Sequence, residues 1–96
     1  MNMKHLSIHV SGRVQGVFFR ASAKARAEEF NIKGNVRNNP DGSVSIEAEG
    51  EEENLRQFVE WCKQGPKFAQ VERCEVKDAE IRNFKGFTIE RSYFDC

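Results

Sequence analysis

The sequence contains few cysteines that could form disulfides, few prolines that could interrupt helices or strands, and few tryptophan or tyrosine residues. Its 96 residues include two prolines, three cysteines, one tryptophan and one tyrosine, and 15 basic residues balance 15 acidic ones. The odd number of cysteines, with no Cys-x-x-Cys pair, argues against a disulfide framework and favours reduced thiols. The role of Cys96 is left open. A net charge of zero gives no overall field to attract nucleic acid or an anionic membrane.

Long apolar runs are also missing. No stretch approaches the ~18 consecutive apolar residues of a membrane span, and the first five residues lack the apolar region of a secretion signal. We therefore expect a soluble, cytoplasmic protein that binds neither a membrane nor nucleic acid and is a monomer. A chain of this length forms a single domain, residues 1–96, which can bury roughly 60–70% of its unfolded surface.

The hydrophobic pattern predicts an α+β fold. Polar and apolar residues alternate over 6–10, which indicates a strand with Ile8 inward and with His5 and His9 on its polar face. Similar reasoning predicts the remaining elements, in order: a helix over 19–30, a hairpin of strands over 34–38 and 43–49, a helix from 50 to 64, a strand from 71 and a short strand within 84–90. An early break in the alternation of the strand from 71 indicates that this strand contains a bulge or starts late. This order is typical of the ferredoxin-like βαββαβ sandwich, with an antiparallel sheet and two helices on one face.

The stretch from Ser11 to Arg20 is a glycine-bearing turn from a strand into a helix. Such a turn directs backbone N–H groups and the positive end of a helix dipole toward one point, which suits an anion such as phosphate. Arg20 opposes the dipole unless an anion is bound, in which case its guanidinium can hold two phosphate oxygens. The loop alone does not decide between a ligand arginine and a solvated one. It also lacks the Gly-Lys-Ser/Thr ending of a Walker loop.

A second polar cluster follows the predicted second strand. Asn39-Pro40-Asp41-Gly42 has the residues of a tight turn, because proline fixes φ and glycine accepts a positive φ. Asn38 precedes this turn, and its spacing alone favours a role in an Asx turn.

Three stretches together resemble the acylphosphatase family. Residues 12–20 (Gly-Arg-Val-Gln-Gly-Val-Phe-Phe-Arg) are similar to its signature loop, residues 34–44 are similar to its second signature, and the corner from Trp61 to Val71 is similar to its helix-to-strand corner. The resemblance runs from about Leu6 to Ile89 and implies the same ferredoxin-like fold.

The resemblance implies an enzyme that hydrolyses the carboxyl-phosphate bond of a small acyl phosphate to a carboxylate and inorganic phosphate. Arg20 and Asn38 occupy its catalytic positions, and Asn39 is left with the turn role. The expected phosphate-binding residues are Gln15, Gly16, Val17, Phe18, Phe19 and Arg20. The loop contains no Cys, Asp or Glu, so we expect in-line attack by water without a covalent intermediate, a metal or a cofactor.

Two alternatives and two departures accompany this interpretation. The same fold also suits a non-catalytic phosphate-binding module, and Lys85-Gly86-Phe87 imitates the start of an RNA-stacking motif. Asn35 stands where many relatives have a larger or β-branched residue, and the segment after Ile89 is longer than usual.

Overall fold

The computed structural model describes residues 2–91, so the segment Ser92 to Cys96, for which loose packing is expected, lies outside the described residues. The elements follow the predicted order. They are β1 (Met3–Arg13), α1 (Phe19–Glu29), β2 (Lys33–Asn38), β3 (Val44–Glu51), α2 (Glu52–Gln64), β4 (Gln70–Ala79) and β5 (Phe87–Ile89).

The five strands form one sheet in the order β4-β1-β3-β2-β5. The pairs β1–β3, β1–β4 and β2–β3 are antiparallel. The expectation of a wholly antiparallel sheet is wrong at one edge, since β5 runs parallel to β2, with Gly34 opposite Phe87 and Val36 opposite Ile89. The sheet is therefore mixed, and β5 is an added strand beside the four of the ferredoxin-like sandwich.

Both helices pack on the sheet because each carries one apolar face. In α1 the buried residues are Phe19, Ala23 and Ala27, and the small alanine side chains allow the helix axis to approach the sheet. In α2 the buried residues are Leu55, Phe58 and Cys62. No helix within residues 2–91 is long and apolar enough to cross a membrane.

A bulge interrupts the pairing of β1 with β4, as the sequence pattern suggested. Ser11 is opposite Arg73 and Gly12 is opposite Val71, so Glu72 has no partner in β1. A Cβ on Gly12 would lie 2.3 Å from the carbonyl oxygen of Gln70. The close approach of the two backbones at the bulge therefore requires glycine, and it turns the end of β1 into the following loop.

His5 lies on the sheet face away from the helices, as its parity predicts, but its side chain is unexpectedly buried, at only 2% exposed. Its Nδ1–H donates to the carbonyl oxygen of Glu80 at 2.5 Å, and its Nε2 lies 2.6 Å from Oε1 of Glu47. The edge of the Phe84 ring is also close, with the two ring centroids 5.5 Å apart. The segment after β4 thus covers this end of the sheet face that the helices leave open.

Glu49 is the second buried polar residue of this region. Its carboxylate accepts the backbone N–H groups of Arg82, Asn83 and Phe84 and is 3% exposed. Burial raises the pKa of Glu49, but these three N–H groups and the nearby His5 outweigh burial and hold that pKa below its ordinary value. The carboxylate therefore ties residues 82–84, which lead into β5, to the centre of the sheet.

Candidate active site

The connection between β1 and α1 turns backbone N–H groups toward one side. Val14 is 1% exposed and anchors the start of the loop in the core. The φ angle is positive at Gly16 (74°) and Phe18 (63°) but not at Val17; such alternation makes an anion-binding concavity of the nest type. In the described part of the chain, the N–H groups of residues 15–18 donate to no backbone carbonyl. The loop therefore offers several donors to an anion.

The first turn of α1 also has backbone N–H groups that no side chain of the described residues caps. Phe18 is the N-cap residue, and within residues 2–91 no side-chain cap and no acidic residue occupies this helix start. Phe19 is 1% exposed, and its ring centroid lies 5.3 Å from that of Trp61. The buried ring fixes the beginning of the helix, so the positive end of its dipole has a defined direction.

Arg20 extends from this first turn toward the end of β5. Its Nη1 donates to the carbonyl oxygen of Glu90 at 3.3 Å. The guanidinium borders a pocket of about 300 Å³, whose lining consists of Val14, Gly16, Phe18, Phe19, Arg20, Ala21, Asn38 and Ile89. Among these eight residues, Arg20 supplies the charged group, and its charge suits an anionic ligand.

Asn38, the last residue of β2, lines the same pocket. Its Oδ1 is buried and has no hydrogen-bond partner among the described residues. A buried carbonyl oxygen without a donor is costly, by about 1–3 kcal/mol. A bound water that donates to Oδ1 would remove this cost, so Asn38 is suited to hold a water beside an anion at Arg20. The Oδ1 atom of Asn35 is likewise buried without a hydrogen-bond partner among the described residues.

The side chain of Gln15 points to the neighbouring turn. Its Nε2 donates to the carbonyl oxygens of Asn39 at 2.8 Å and of Ser43 at 2.9 Å. The backbone of Gln15 is part of the β1–α1 loop, while its side-chain amide joins that loop to the turn that follows Asn38.

The turn itself is braced by its own side chains, as predicted for Asn39. Asn39 Nδ2 donates to the hydroxyls of Ser43 at 2.9 Å and Ser45 at 2.8 Å. Asp41 accepts the hydroxyl and the backbone N–H of Ser43, and these two bonds hold the pKa of Asp41 below its ordinary value. The turn is therefore a fixed support for Asn38.

Ile89 and the partners of the Gln15 side chain were not foreseen from the sequence, nor were Val14 and Ala21 as lining residues of the pocket. Ile89 lines the pocket because β5 lies beside β2, and nothing local in a three-residue strand indicates its partner. The acceptors of the Gln15 amide lie 24 and 28 residues away. Phe87, by contrast, is 5% exposed, so its ring is not placed to stack on RNA bases.

Metal-ligating side chains are not gathered within residues 2–91. In this part of the chain no group of three or more His, Cys, Asp or Glu residues is placed to hold a metal ion. The chemistry that the pocket itself offers is therefore that of one guanidinium, one side-chain amide and the backbone N–H groups of the loop.

Comparison with known proteins gives a consistent result. The family model described as Acylphosphatase matches residues 6–89. An acylphosphatase of Archaeoglobus fulgidus is 50% identical over 84 residues, covering 88% of this chain and 94% of the relative. An acylphosphatase of Rubrobacter xylanophilus is 49% identical over 90% of this chain and 79% of the relative. The structure of an acylphosphatase from Coxiella burnetii superimposes with a TM-score of 0.90 at 34% identity, covering 93% of this chain and 94% of that one.

Proposed function

The chain belongs to the acylphosphatase family and is a hydrolase of acyl phosphates, and we propose that Arg20, Asn38 and the backbone of residues 15–20 carry out this reaction. The observation that supports this assignment is the shared pocket, bordered by the guanidinium of Arg20 and by the Oδ1 of Asn38, which has no hydrogen-bond partner within residues 2–91. The non-catalytic alternative is not favoured, since the relatives named acylphosphatase match along nearly their whole length.

Phosphate binding is assigned to the loop. The N–H groups of Gln15, Gly16, Val17, Phe18, Phe19 and Arg20 and the Arg20 guanidinium surround the phosphoryl oxygens. In phosphoryl transfer, catalysis consists mostly of positioning and of electrostatic stabilisation of the equatorial oxygens. Donors fixed by the nest and by the helix start need little reorganisation during the reaction, which is the condition for strong transition-state stabilisation.

Asn38 is assigned to the attacking water. Its Oδ1 accepts a hydrogen bond from the water and so orients a lone pair toward phosphorus. The water oxygen forms a bond to phosphorus while the bond from phosphorus to the carboxylate oxygen breaks. The carboxylate leaves with the bonding electron pair, and a proton of the water passes to a phosphate oxygen. A carboxylate is a good leaving group, so we propose that no general acid, metal ion or cofactor is needed.

The test is hydrolysis of benzoyl phosphate in the presence of EDTA. Arg20→Gln removes two charge-assisted hydrogen bonds at about 1.5–3 kcal/mol each, so kcat/KM falls by roughly 10²–10⁴. Asn38→Ala lowers kcat by about 10², the scale of a mispositioned reactant. Arg26→Gln, on the exposed surface of α1, and Asn54→Ala, on α2, are the matched controls and retain activity. Full activity of folded Arg20→Gln or Asn38→Ala protein, or loss of wild-type activity in EDTA, contradicts the proposal.

The remaining expectations are part of the same proposal. We propose that residues 1–96 form one domain and that the protein acts as a monomer on a small acyl phosphate, without a nucleic-acid or membrane partner. We also propose that it works in the cytosol, where thiols stay reduced. The thiols of Cys62 and Cys74 are unbridged in the structure. Light scattering of the purified protein tests the monomer, since a mass near twice 11.0 kDa contradicts it.

A further inference from the structure

The pocket has more room than a phosphoryl group needs. Its volume is about 300 Å³, far above the ~10–15 Å³ that one water needs on the same measure, whereas the phosphoryl group has four heavy atoms besides the bridging oxygen. The donors assigned to that group lie in the loop and at Arg20. The rest of the lining is available to the acyl part of the substrate, and this inference rests on the function proposed above.

Phe18 has two unfavourable features in one residue. It is 78% exposed, although burial of a phenylalanine side chain is favourable. It also has φ 63° and ψ 24°, a left-handed conformation that a bulky side chain rarely adopts. Strained backbone of this kind collects at ligand sites. Phe68 is similarly exposed at 68%, but it does not line the pocket and its φ angle is not positive.

The left-handed conformation of Phe18 belongs to the alternation of φ that forms the proposed nest, and the same residue borders the pocket. Ile89, 38% exposed, borders the same pocket from β5. An aromatic ring and a branched aliphatic chain thus lie at the rim, above a phosphate-binding floor.

We propose that Phe18 and Ile89 form a binding subsite for the acyl group, so that the enzyme selects acyl phosphates with a large apolar acyl group, aromatic ones above all, over acetyl phosphate. Apolar contact with a ring or a branched chain favours a benzoyl group, which has a flat face to stack on Phe18. An acetyl group is too small to reach both side chains. A carboxylate on the acyl group would find no charged or polar partner in Phe18 or Ile89.

The experiment compares kcat/KM for benzoyl phosphate and acetyl phosphate in the wild type and in two Phe18 variants. Phe18→Gly removes the ring and keeps the loop, because glycine accepts a positive φ. Phe18→Asn is the second variant, because asparagine also tolerates this conformation. Phe68→Gly is the matched control. The ratio of the two kcat/KM values is compared between proteins, so the different intrinsic reactivity of the two substrates cancels.

We expect the benzoyl-to-acetyl ratio to fall about tenfold in both Phe18 variants, the lower end of the discrimination that an apolar contact provides, and to stay at the wild-type value in Phe68→Gly. An unchanged ratio in folded Phe18→Gly and Phe18→Asn overturns the subsite while leaving the proposed function intact. A wild type that hydrolyses neither substrate overturns the proposed function, and the subsite with it.

Discussion

The side-chain Nε2 of Gln15 lies 2.8 Å from the carbonyl oxygen of Asn39, and this bond joins the β1–α1 loop to the turn that supports Asn38. A second bond from the same amide reaches the carbonyl oxygen of Ser43 at 2.9 Å. Two backbone carbonyls of the β2–β3 turn thus each accept a second hydrogen bond from one side chain of the β1–α1 loop, beside those from the backbone N–H groups of Gly42 and Asn39. The two halves of the proposed site are therefore positioned relative to each other by direct hydrogen bonds as well as by the sheet.

Gln15→Met should uncouple these halves. Methionine has a similar length but no donor, so the Asn39 and Ser43 carbonyls lose a partner at a cost of about 1–3 kcal/mol in the free energy of unfolding. We expect kcat to fall at least about tenfold, because a shift of Asn38 by a fraction of an ångström misplaces the water, while KM changes less. Urea unfolding and steady-state kinetics on benzoyl phosphate measure both effects.

Gln57→Met is the matched control, since Gln57 is exposed on α2 and carries the same substitution. A kcat in Gln15→Met equal to that of this control would show that the amide bonds do not position Asn38.

Glu49 should make stability depend on pH in the acid range. Because its folded-state pKa is lowered, the carboxylate contributes stability above its ordinary pKa of 4.5, and this contribution is lost as the pH falls through the lowered value. Glu49→Gln removes a charge that accepts three backbone N–H groups, and we expect about 2–3 kcal/mol of destabilisation at pH 7. Since the wild type itself loses this stability in acid, the difference between the two proteins should shrink toward pH 3.

Urea unfolding of the wild type, Glu49→Gln and Glu60→Gln at pH 7, 5, 4 and 3 measures this dependence. Glu60 is exposed on α2, so its variant should stay close to the wild type throughout. A difference between wild type and Glu49→Gln that is constant from pH 7 to 3 would exclude a lowered pKa at Glu49.

The secondary-structure elements and the position of the loop between β1 and α1 could be predicted from the sequence because their signals are local. Alternation marks β1, the i, i+3, i+4 spacing marks α2, and Asn39 to Gly42 have the chemistry of a turn. The break in alternation after Val71 likewise indicated a bulge or a late start, and the structure has a bulge there, opposite Ser11 and Gly12.

The features that the sequence did not predict depend on contacts between residues far apart in the chain. His5 has the parity of a polar-face residue, but residues 80–84 cover that end of the face and bury it. The parallel pairing of β5 with β2 follows from where the chain returns, which a three-residue strand does not encode. In the site, Asn38 could be proposed only through family resemblance, since its local pattern favours a turn role. Ile89 could not be proposed at all, because it reaches the pocket through that pairing.

Gly34 should be intolerant of any side chain. Its φ is 146°, and a Cβ would lie 1.7 Å from the carbonyl oxygen of Glu47 in β3, so Gly34→Ala must push β2 away from β3. We expect at least about 2–3 kcal/mol of destabilisation, the upper range of overpacking, together with reduced activity because β2 carries Asn38. Gly86→Ala is the control: a Cβ there meets nothing within 4 Å. Thermal unfolding that is equal for the two variants would contradict this close approach.

Cys62 should be protected from alkylation until the protein unfolds. Its side chain is fully buried under α2, and burial, with a smaller contribution from Cys74, raises the pKa of its thiol well above the ordinary value. Both effects suppress the reactive thiolate. At pH 8 we expect iodoacetamide to modify Cys62 about 10³-fold more slowly in the native protein than in urea, as follows from a stability of about 5 kcal/mol or more.

Peptide mass spectrometry at timed intervals follows each cysteine separately. Half-buried Cys74, whose pKa burial raises less, is the internal control and should react sooner. Equal rates at the two positions in native protein would mean that α2 opens far more readily than its packing against the sheet implies.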